Sequence, residues 1–265
     1  MVIGLVVENK FKTFFKIEYM IVDRERKVIY LHNPKCGGTF LRNIYIEKYG
    51  KTEATKWWKL FSKEYGTDLG HITYDDLPRF IPEWQDYRLV TMIRNPYNRF
   101  YSGIKELKKQ LAPFNFCSIK NFRYFYEKEW LSLNKYQKIY ELLRSICPGT
   151  YTGLLVKLNL ASPEDACKYI SSLKRSKQDV FLRNKRIPWI APQSNYMADK
   201  VEILRYESES DWEKLLETFG LSAYKDRLAI AKDYAIPDDI RKKIEKLYQE
   251  DRELFLMYSD SIKTN

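Results

Sequence analysis

Two apolar runs stand out in the pattern of hydrophobic and polar positions, because each ends abruptly on polar residues and is followed by apolar positions at helical spacing. In the first, Val28, Ile29, Tyr30 and Leu31 follow one another without a polar break, as in a strand buried on both faces. The chain then turns through Pro34, Lys35, Cys36, Gly37, Gly38 and Thr39 into a helix. In the second, the run 89–93 ends on Arg94; Asn95 suits a helix N-cap and Pro96 the first helical position. Phe100, Ile104, Leu107 and Leu111 recur at helical spacing and are predicted to face the core, which leaves Arg94, Arg99 and Ser102 as the polar members of this element.

The rest of the chain reads as alternating strands and helices. Runs 19–22 and 28–31 flank Asp23, Arg24, Glu25 and Arg26 and predict a hairpin, and 201–204 predicts a late strand. Residues 117–147 read as largely helical, and Ser162-Pro163-Glu164-Asp165 starts another helix. Ser210 and Glu213 form a capping box for a helix ending at Gly220. A last amphipathic helix is predicted over 238–258, with Ile240, Ile244, Leu247, Tyr248, Leu254 and Phe255 on its inner side. The pattern is that of an α/β fold, P-loop-like and three-layered, with a central mainly parallel sheet flanked by helices. No linker, low-complexity tract or repeat divides the chain, so 1–265 is expected to be a single domain.

The first strand-to-helix turn has the chemistry of a phosphate cradle. Consecutive glycines let the backbone approach an anion, and the N–H groups of the first helical turn point at it. Lys35 adds a positive charge and Thr39 a hydroxyl. The strict G-x-x-x-x-G-K-[ST] pattern is absent, since Lys35 precedes the glycines, and this argues against an ordinary ATPase or GTPase. An arginine and a hydroxyl, Arg94 and Ser102, suit a second anion at the other junction. Taken singly, each element also reads as a plain turn or a capped helix.

A net charge of +11 points to anionic ligands without choosing among nucleotide, acidic saccharide, nucleic acid and membrane surface. Lys105, Lys108 and Lys109 share one side of a helix, and Lys174, Arg175, Lys177, Arg183, Lys185 and Arg186 form a denser basic stretch that reads equally as a solvated face. Cys36, Cys117, Cys147 and Cys167 lack metal-ligand spacing, so neither a zinc site nor a disulfide framework is expected. The apolar run 2–7 is far shorter than the roughly 20 residues that cross a bilayer and lacks a basic leader, which leads to the expectation of a soluble, cytoplasmic protein with no membrane span.

Together the two loops resemble those of the sulfotransferases that use 3′-phosphoadenosine 5′-phosphosulfate (PAPS), especially the carbohydrate branch related to heparan sulfate 2-O-sulfotransferase. The stretch from His32 through Asn33, Pro34, Lys35, Cys36, Gly37 and Gly38 to Thr39 is similar to the family's 5′-phosphosulfate loop, H-x-P-K-[TC]-[GA]-[GS]-T-[ST]. The stretch from Arg94 to Ser102 is similar to its 3′-phosphate loop, R-D-P-x-x-R-x-x-S, and the order and separation agree. Cys36 stands where many members have Thr; Phe40 replaces a Ser or Thr and removes a hydroxyl; Asn95 for Asp keeps the cap and drops a charge. The resemblance implies that Lys35, Cys36, Gly37, Gly38, Thr39 and Phe40 hold the 5′-phosphosulfate and Arg94 and Ser102 the 3′-phosphate, with no metal. Animal relatives commonly carry an N-terminal anchor, so the reading here is a bacterial-type or viral soluble member, or one whose anchor has been removed.

Between the loops lies Gly70-His71-Ile72, which matches the segment that carries the catalytic base in the 2-O-sulfotransferase branch. An alcohol acceptor must lose its proton as it attacks sulfur, and a neutral imidazole is well suited to take it. The alternative is a structural histidine, with a carboxylate such as Glu207 as base. His32 reads as ordering its loop through a backbone hydrogen bond. A P-Q-x-x-Y stretch, Pro192 to Tyr196, before Arg205-Tyr206-Glu207 also resembles bacterial members; Trp189 and Tyr196 are candidates to stack on adenine or a sugar, Gln193 to hydrogen-bond either, and Arg205 to pair with Glu207. The function expected is sulfonate transfer from PAPS to a hydroxyl of a carbohydrate, with His71 and Lys35 catalytic and no nucleic-acid partner. The competing classes are a P-loop kinase or nucleotide hydrolase, which needs a magnesium-binding carboxylate at a strand end, and a non-catalytic module for anionic glycans or nucleic acid, which gives no reason for two anion loops with a histidine between them.

Overall fold

The apolar run 28–31 becomes the second strand of a four-stranded sheet ordered β1-β2-β5-β6, built of β1 (Ile21–Asp23), β2 (Val28–Leu31), β5 (Arg88–Ile93) and β6 (Val201–Arg205). A separate pair, β3 (Phe61–Ser62) and β4 (Thr67–Asp68), lies outside it. The computed structural model describes residues 20–55, 61–62, 67–111, 135–136, 162–183 and 188–260. The helical reading of 117–147 therefore falls almost entirely outside the described residues.

β1 pairs antiparallel with β2 across the expected hairpin, whose turn is closed by the Arg26 N–H donating to Asp23 Oδ1 at 2.9 Å. β2 pairs parallel with β5 and β5 parallel with β6. The sheet is thus mostly parallel with one antiparallel edge strand, a general α/β arrangement with helices α1 (Gly38–Tyr49), α2 (Leu77–Phe80), α3 (Pro96–Leu111), α4 (Pro163–Ser172), α5 (Arg175–Leu182), α6 (Glu209–Thr218), α7 (Asp238–Leu247) and α8 (Gln249–Asp260).

Strand pleating explains why β2 has no polar break. Val28 and Tyr30 face one way and join Val90, Met92 and Leu204 against Leu41 and Ile44 of α1 and Trp212, Leu215 and Leu216 of α6. Ile29 and Leu31 face the other way and join Leu89 and Val201 against Ile72, Leu77, Ile81 and Trp84. A third cluster packs Phe100, Ile104 and Leu107 of α3 against Ala166, Cys167 and Ile170 of α4 and Ile240 and Ile244 of α7, as the spacing along α3 predicts. Each fully buried aliphatic side chain contributes about 1.5–3 kcal/mol, so these faces hold the strand ends in place.

Two sequence expectations are corrected. The cap of α6 is Ser208, whose Oγ accepts the Asp211 N–H at 3.2 Å, rather than Ser210; the helix starts a turn's fraction earlier because Arg205 N–H donates to Asp211 Oδ2 at 2.8 Å and draws that residue inward. The terminal helix is two helices, α7 and α8, broken at Tyr248 (φ −126°, ψ 45°). The buried Tyr248 hydroxyl donates to Ile190 O at 2.6 Å, and after the break Asp251 accepts from the N–H groups of Gln193 and Ser194 at 2.9 and 3.1 Å. Amphipathic periodicity continues across such a break and hides it. No described helix is long and apolar enough to cross a membrane.

Candidate functional site

Parallel pairing of β2 with β5, in the register Leu31 opposite Thr91, brings the ends of both strands to one edge of the sheet. The two strand-to-helix loops therefore lie side by side at the carboxyl ends of parallel strands, where open α/β sheets commonly bind ligands.

The first loop is shaped by its carbonyls. Arg99, almost fully buried on α3, donates from Nε to Pro34 O at 3.2 Å and from Nη2 to Ala191 O at 2.5 Å. Arg94 donates from Nη1 to Lys35 O at 3.2 Å. Because a trans peptide sets its C=O and N–H on opposite sides, anchoring these carbonyls inward turns the N–H groups of Lys35 and Cys36 outward. Left-handed backbone at Lys35 (φ 68°) and Gly37 (φ 84°) continues the curl. Among the described residues no acceptor meets the backbone N–H groups of Lys35, Cys36, Gly37, Gly38 or Thr39, whereas Phe40 and Leu41 already donate to Gly37 O at 2.9 and 3.2 Å. Unmet donors in a row at a helix N-terminus are the arrangement that anion-binding nests use, so 35–39 is a candidate nest.

The space behind the glycines is full. A Cβ on Gly37 would collide with the ring of Trp212, and one on Gly38 with the ring of His32. Gly37→Ala is expected to destabilise the fold by about 2–4 kcal/mol, combining overpacking with a left-handed alanine, as a lower midpoint in urea unfolding would show. Cys36 is buried with Sγ 3.5 Å from Gln193 Oε1, and burial pushes its thiol up to about 12 against the lowering pull of Arg99 and Arg94. It is a protonated core group and not a nucleophile.

The second loop forms as its sequence indicates. Asn95 Oδ1 accepts the N–H groups of Tyr97 and Asn98 at 3.0 and 3.4 Å and caps α3. Arg94 is 5% exposed, lies 4.4 Å over the Tyr206 ring, and has a buried Nε with no hydrogen-bond partner among the described residues. A buried guanidinium N–H without a partner is uncommon and marks Arg94 as a candidate contact for an anion. Ser102 is half-buried on the same helix, and its hydroxyl has no partner among the described residues. Glu207 accepts the Asn95 N–H at 2.9 Å; its lost hydration holds its carboxyl above the usual range, against that N–H and the Arg94 charge. Glu207 does not pair with Arg205, which donates instead from Nε to Asp211 at 3.3 Å.

Gln193 joins the loops, and this differs from the ligand contact expected of it. Its Oε1 accepts from Arg94 N–H at 2.8 Å and Asn33 Nδ2 at 3.1 Å, and its Nε2 donates to Arg94 O at 2.8 Å. At 1% exposure the amide is consumed within the protein. Asp251 in turn holds the Gln193 N–H and lies 4.0 Å from Arg99. Tyr196 is likewise buried, its hydroxyl donating to His71 O at 3.2 Å, and Trp189 packs half-buried against the α3 cluster with its carbonyl over Gly103. The P-Q-x-x-Y stretch is thus a brace under the site rather than a stacking platform. Phe40 also turns away, its ring edge-on to Trp212 at 5.6 Å.

The histidine segment comes to the same edge. His71 is buried, and its Nδ1 lies 3.1 Å from His32 O. A carbonyl only accepts, so Nδ1 carries a proton, and any proton exchange by the ring falls to Nε2. The His32 ring sits between Gly38 and His71, with the two imidazole centroids 4.5 Å apart. Burial, with the charges of His71, Lys35 and Arg42, holds the His32 imidazole well below its usual range, so it is neutral at pH 7. His32 orders the site by its carbonyl, which accepts from His71, and by its ring.

Lys35 Nζ lies 3.0 Å from Glu106 Oε2 on α3, a partner that no motif indicates. Thr39 is exposed at the mouth of the nest. The structure therefore brings Lys35, the N–H row 35–39, Arg94 and His71 to one sheet edge, with Ser102 on the adjoining helix α3, and leaves Phe40, Trp189, Gln193 and Tyr196 in the packing behind or beside it. Comparison with protein-family models, curated proteins and solved structures returns no match.

Proposed function

We propose that this chain is a sulfotransferase that moves a sulfonate group from PAPS to a hydroxyl acceptor, a carbohydrate, and that its sheet and loops form a P-loop-like three-layer core. The observation that carries the reading is the juxtaposition of an outward row of N–H donors at 35–39 with Arg94, whose buried Nε lacks a partner, at the ends of adjacent parallel strands. Two anion sites side by side suit a nucleotide bearing phosphate groups at both ends of its ribose better than a linear triphosphate.

In this reading the N–H groups of residues 35–39 and the Lys35 ammonium hold the 5′ anion, and Arg94 with Ser102 holds the 3′-phosphate. When bound, the donor supplies an activated sulfonate whose transfer needs a proton acceptor at the attacking hydroxyl and positive charge at the departing oxygen. Nε2 of His71 is the proton acceptor, kept basic because His32 O fixes the proton on Nδ1. Lys35 supplies the positive charge. Neutral His32 beside His71 adds no competing charge to the pair, and positioning with preorganised charge accounts for most of the acceleration.

Titration calorimetry with adenosine 3′,5′-bisphosphate against ATP tests the assignment. The bisphosphate is expected to bind at least about tenfold tighter than ATP, a difference of about 1.4 kcal/mol. Equal or reversed affinities, with or without magnesium, would instead favour a kinase or nucleotide hydrolase, and binding of neither nucleotide would favour a glycan- or nucleic-acid-binding module.

A further inference from the structure

Lys35 occupies a left-handed backbone position (φ 68°), a conformation that an L side chain rarely adopts and glycine adopts freely. Its side chain reaches to α3. That side chain does not lie free over the nest: its ammonium meets the Glu106 carboxylate at 3.0 Å, with the two side chains 24% and 19% exposed. Glu106 stands on α3, the helix that carries Ser102 and Arg99 one and two turns earlier, and Arg99 already grips Pro34 O immediately before Lys35. The helix of the second loop thus holds both the backbone and the side chain of the first. The pair is semi-buried, so it is screened less than a surface pair, yet it lies close enough to solvent for an incoming anion to compete for the ammonium.

We propose that Glu106 is a positioning residue for Lys35: its carboxylate parks the ammonium on α3 and hands it to an anion that enters the nest. The inference rests on the reading of residues 35–39 as an anion cradle, and it assigns a role to a residue that no sequence motif marks. Glu106 sets two properties. It keeps the lysine oriented between binding events, and it lowers anion affinity by competing for the same cation. A semi-exposed pair is worth about 0.2–1 kcal/mol, which corresponds to a competition of about 1.4- to 5-fold in affinity.

The test combines calorimetry and amine labelling on the full chain. Adenosine 3′,5′-bisphosphate is titrated into the unmutated protein, Glu106→Gln, Lys35→Ala and the double variant. Glu106→Gln is expected to tighten binding about 2- to 5-fold, and this gain is expected to vanish in the Lys35→Ala background. A carboxylate with a merely structural role would give the same change in both backgrounds. Independently, pulse acetylation read by mass spectrometry is expected to modify Lys35 several-fold faster in Glu106→Gln than in the unmutated protein, a measurement that needs no ligand. Unchanged labelling of Lys35, or bisphosphate affinity that falls or stays level in Glu106→Gln while Lys35→Ala weakens binding, overturns the role of Glu106 and leaves the cradle standing. Failure of the unmutated protein to bind either the bisphosphate or inorganic pyrophosphate overturns the cradle and the proposal with it.

Discussion

Replacing His71 by alanine is expected to lower turnover by about 10²- to 10⁴-fold, the range for losing a positioned acid-base group, with little change in nucleotide affinity. His71 is buried against the His32 ring, and its Nδ1–H anchors His32 O next to the nest, so alanine removes a support as well as a base. His71→Asn separates the two. Its amide N–H can take the place of Nδ1–H and donate to His32 O, yet it offers no basic nitrogen, so it should be as slow as alanine while binding adenosine 3′,5′-bisphosphate normally. Only the neutral imidazole accepts a proton, so turnover of the unmutated protein should rise with pH through the ionisation of the base and level off above it. Single-turnover rates at saturating PAPS give the comparison. A folded His71→Asn protein that transfers sulfonate at a near-normal rate would move the search for the base to Glu207, which lies at the same edge and accepts the Asn95 N–H.

Arg94→Ala is expected to weaken adenosine 3′,5′-bisphosphate binding about 30- to 1000-fold, since a buried, charge-assisted contact is worth about 2–4 kcal/mol. Its geometry splits that loss into two parts. Nη1 holds Lys35 O and thereby orients the nest, while the unpartnered Nε is the group that the proposed function assigns to a 3′-phosphate. Adenosine 5′-monophosphate feels only the first part, so its affinity should fall less than that of the bisphosphate. The difference between the two losses measures the 3′ contact. Lysine lacks the planar fork that reaches both partners and should not rescue binding. Identical losses for the two nucleotides would reduce Arg94 to a support for the first loop and remove the 3′-phosphate assignment.

Both strand-to-helix junctions were legible in the sequence because their signals are local. An unbroken apolar run, paired glycines, and Asn-Pro before a helical period each act within a few residues. Alternation along β2 and β5 likewise follows from pleating once both faces are covered, as Val28 and Tyr30 against Ile29 and Leu31 show. Local signals erred where a neighbour distant in sequence intervened. Ser210 and Glu213 have capping-box spacing, but the chain uses Ser208 because Asp211 is held by the Arg205 N–H. Tyr248 fits an amphipathic stripe, but its backbone leaves helical geometry (φ −126°, ψ 45°) where its hydroxyl meets Ile190 O.

The candidate site divides along the same line. From sequence alone, residue types suited to an anion were evident: a lysine and glycines on one loop, an arginine and a serine on the other, and a histidine between them. Their chemistry is a property of single side chains and of spacing along the chain. Which of these groups stays available was decided by tertiary structure. Gln193 reads as a ligand contact, yet its amide is spent on Asn33 and Arg94, residues 160 and 99 positions away. Lys35 reads as a loose charge, yet Glu106, 71 positions on, holds it. The proton on His71 Nδ1 is fixed only because the carbonyl of His32, 39 positions earlier, accepts it. Hydrogen bonds and ion pairs between distant segments leave no periodicity in the chain, since any donor matches many acceptors until the sheet's register brings particular ones together.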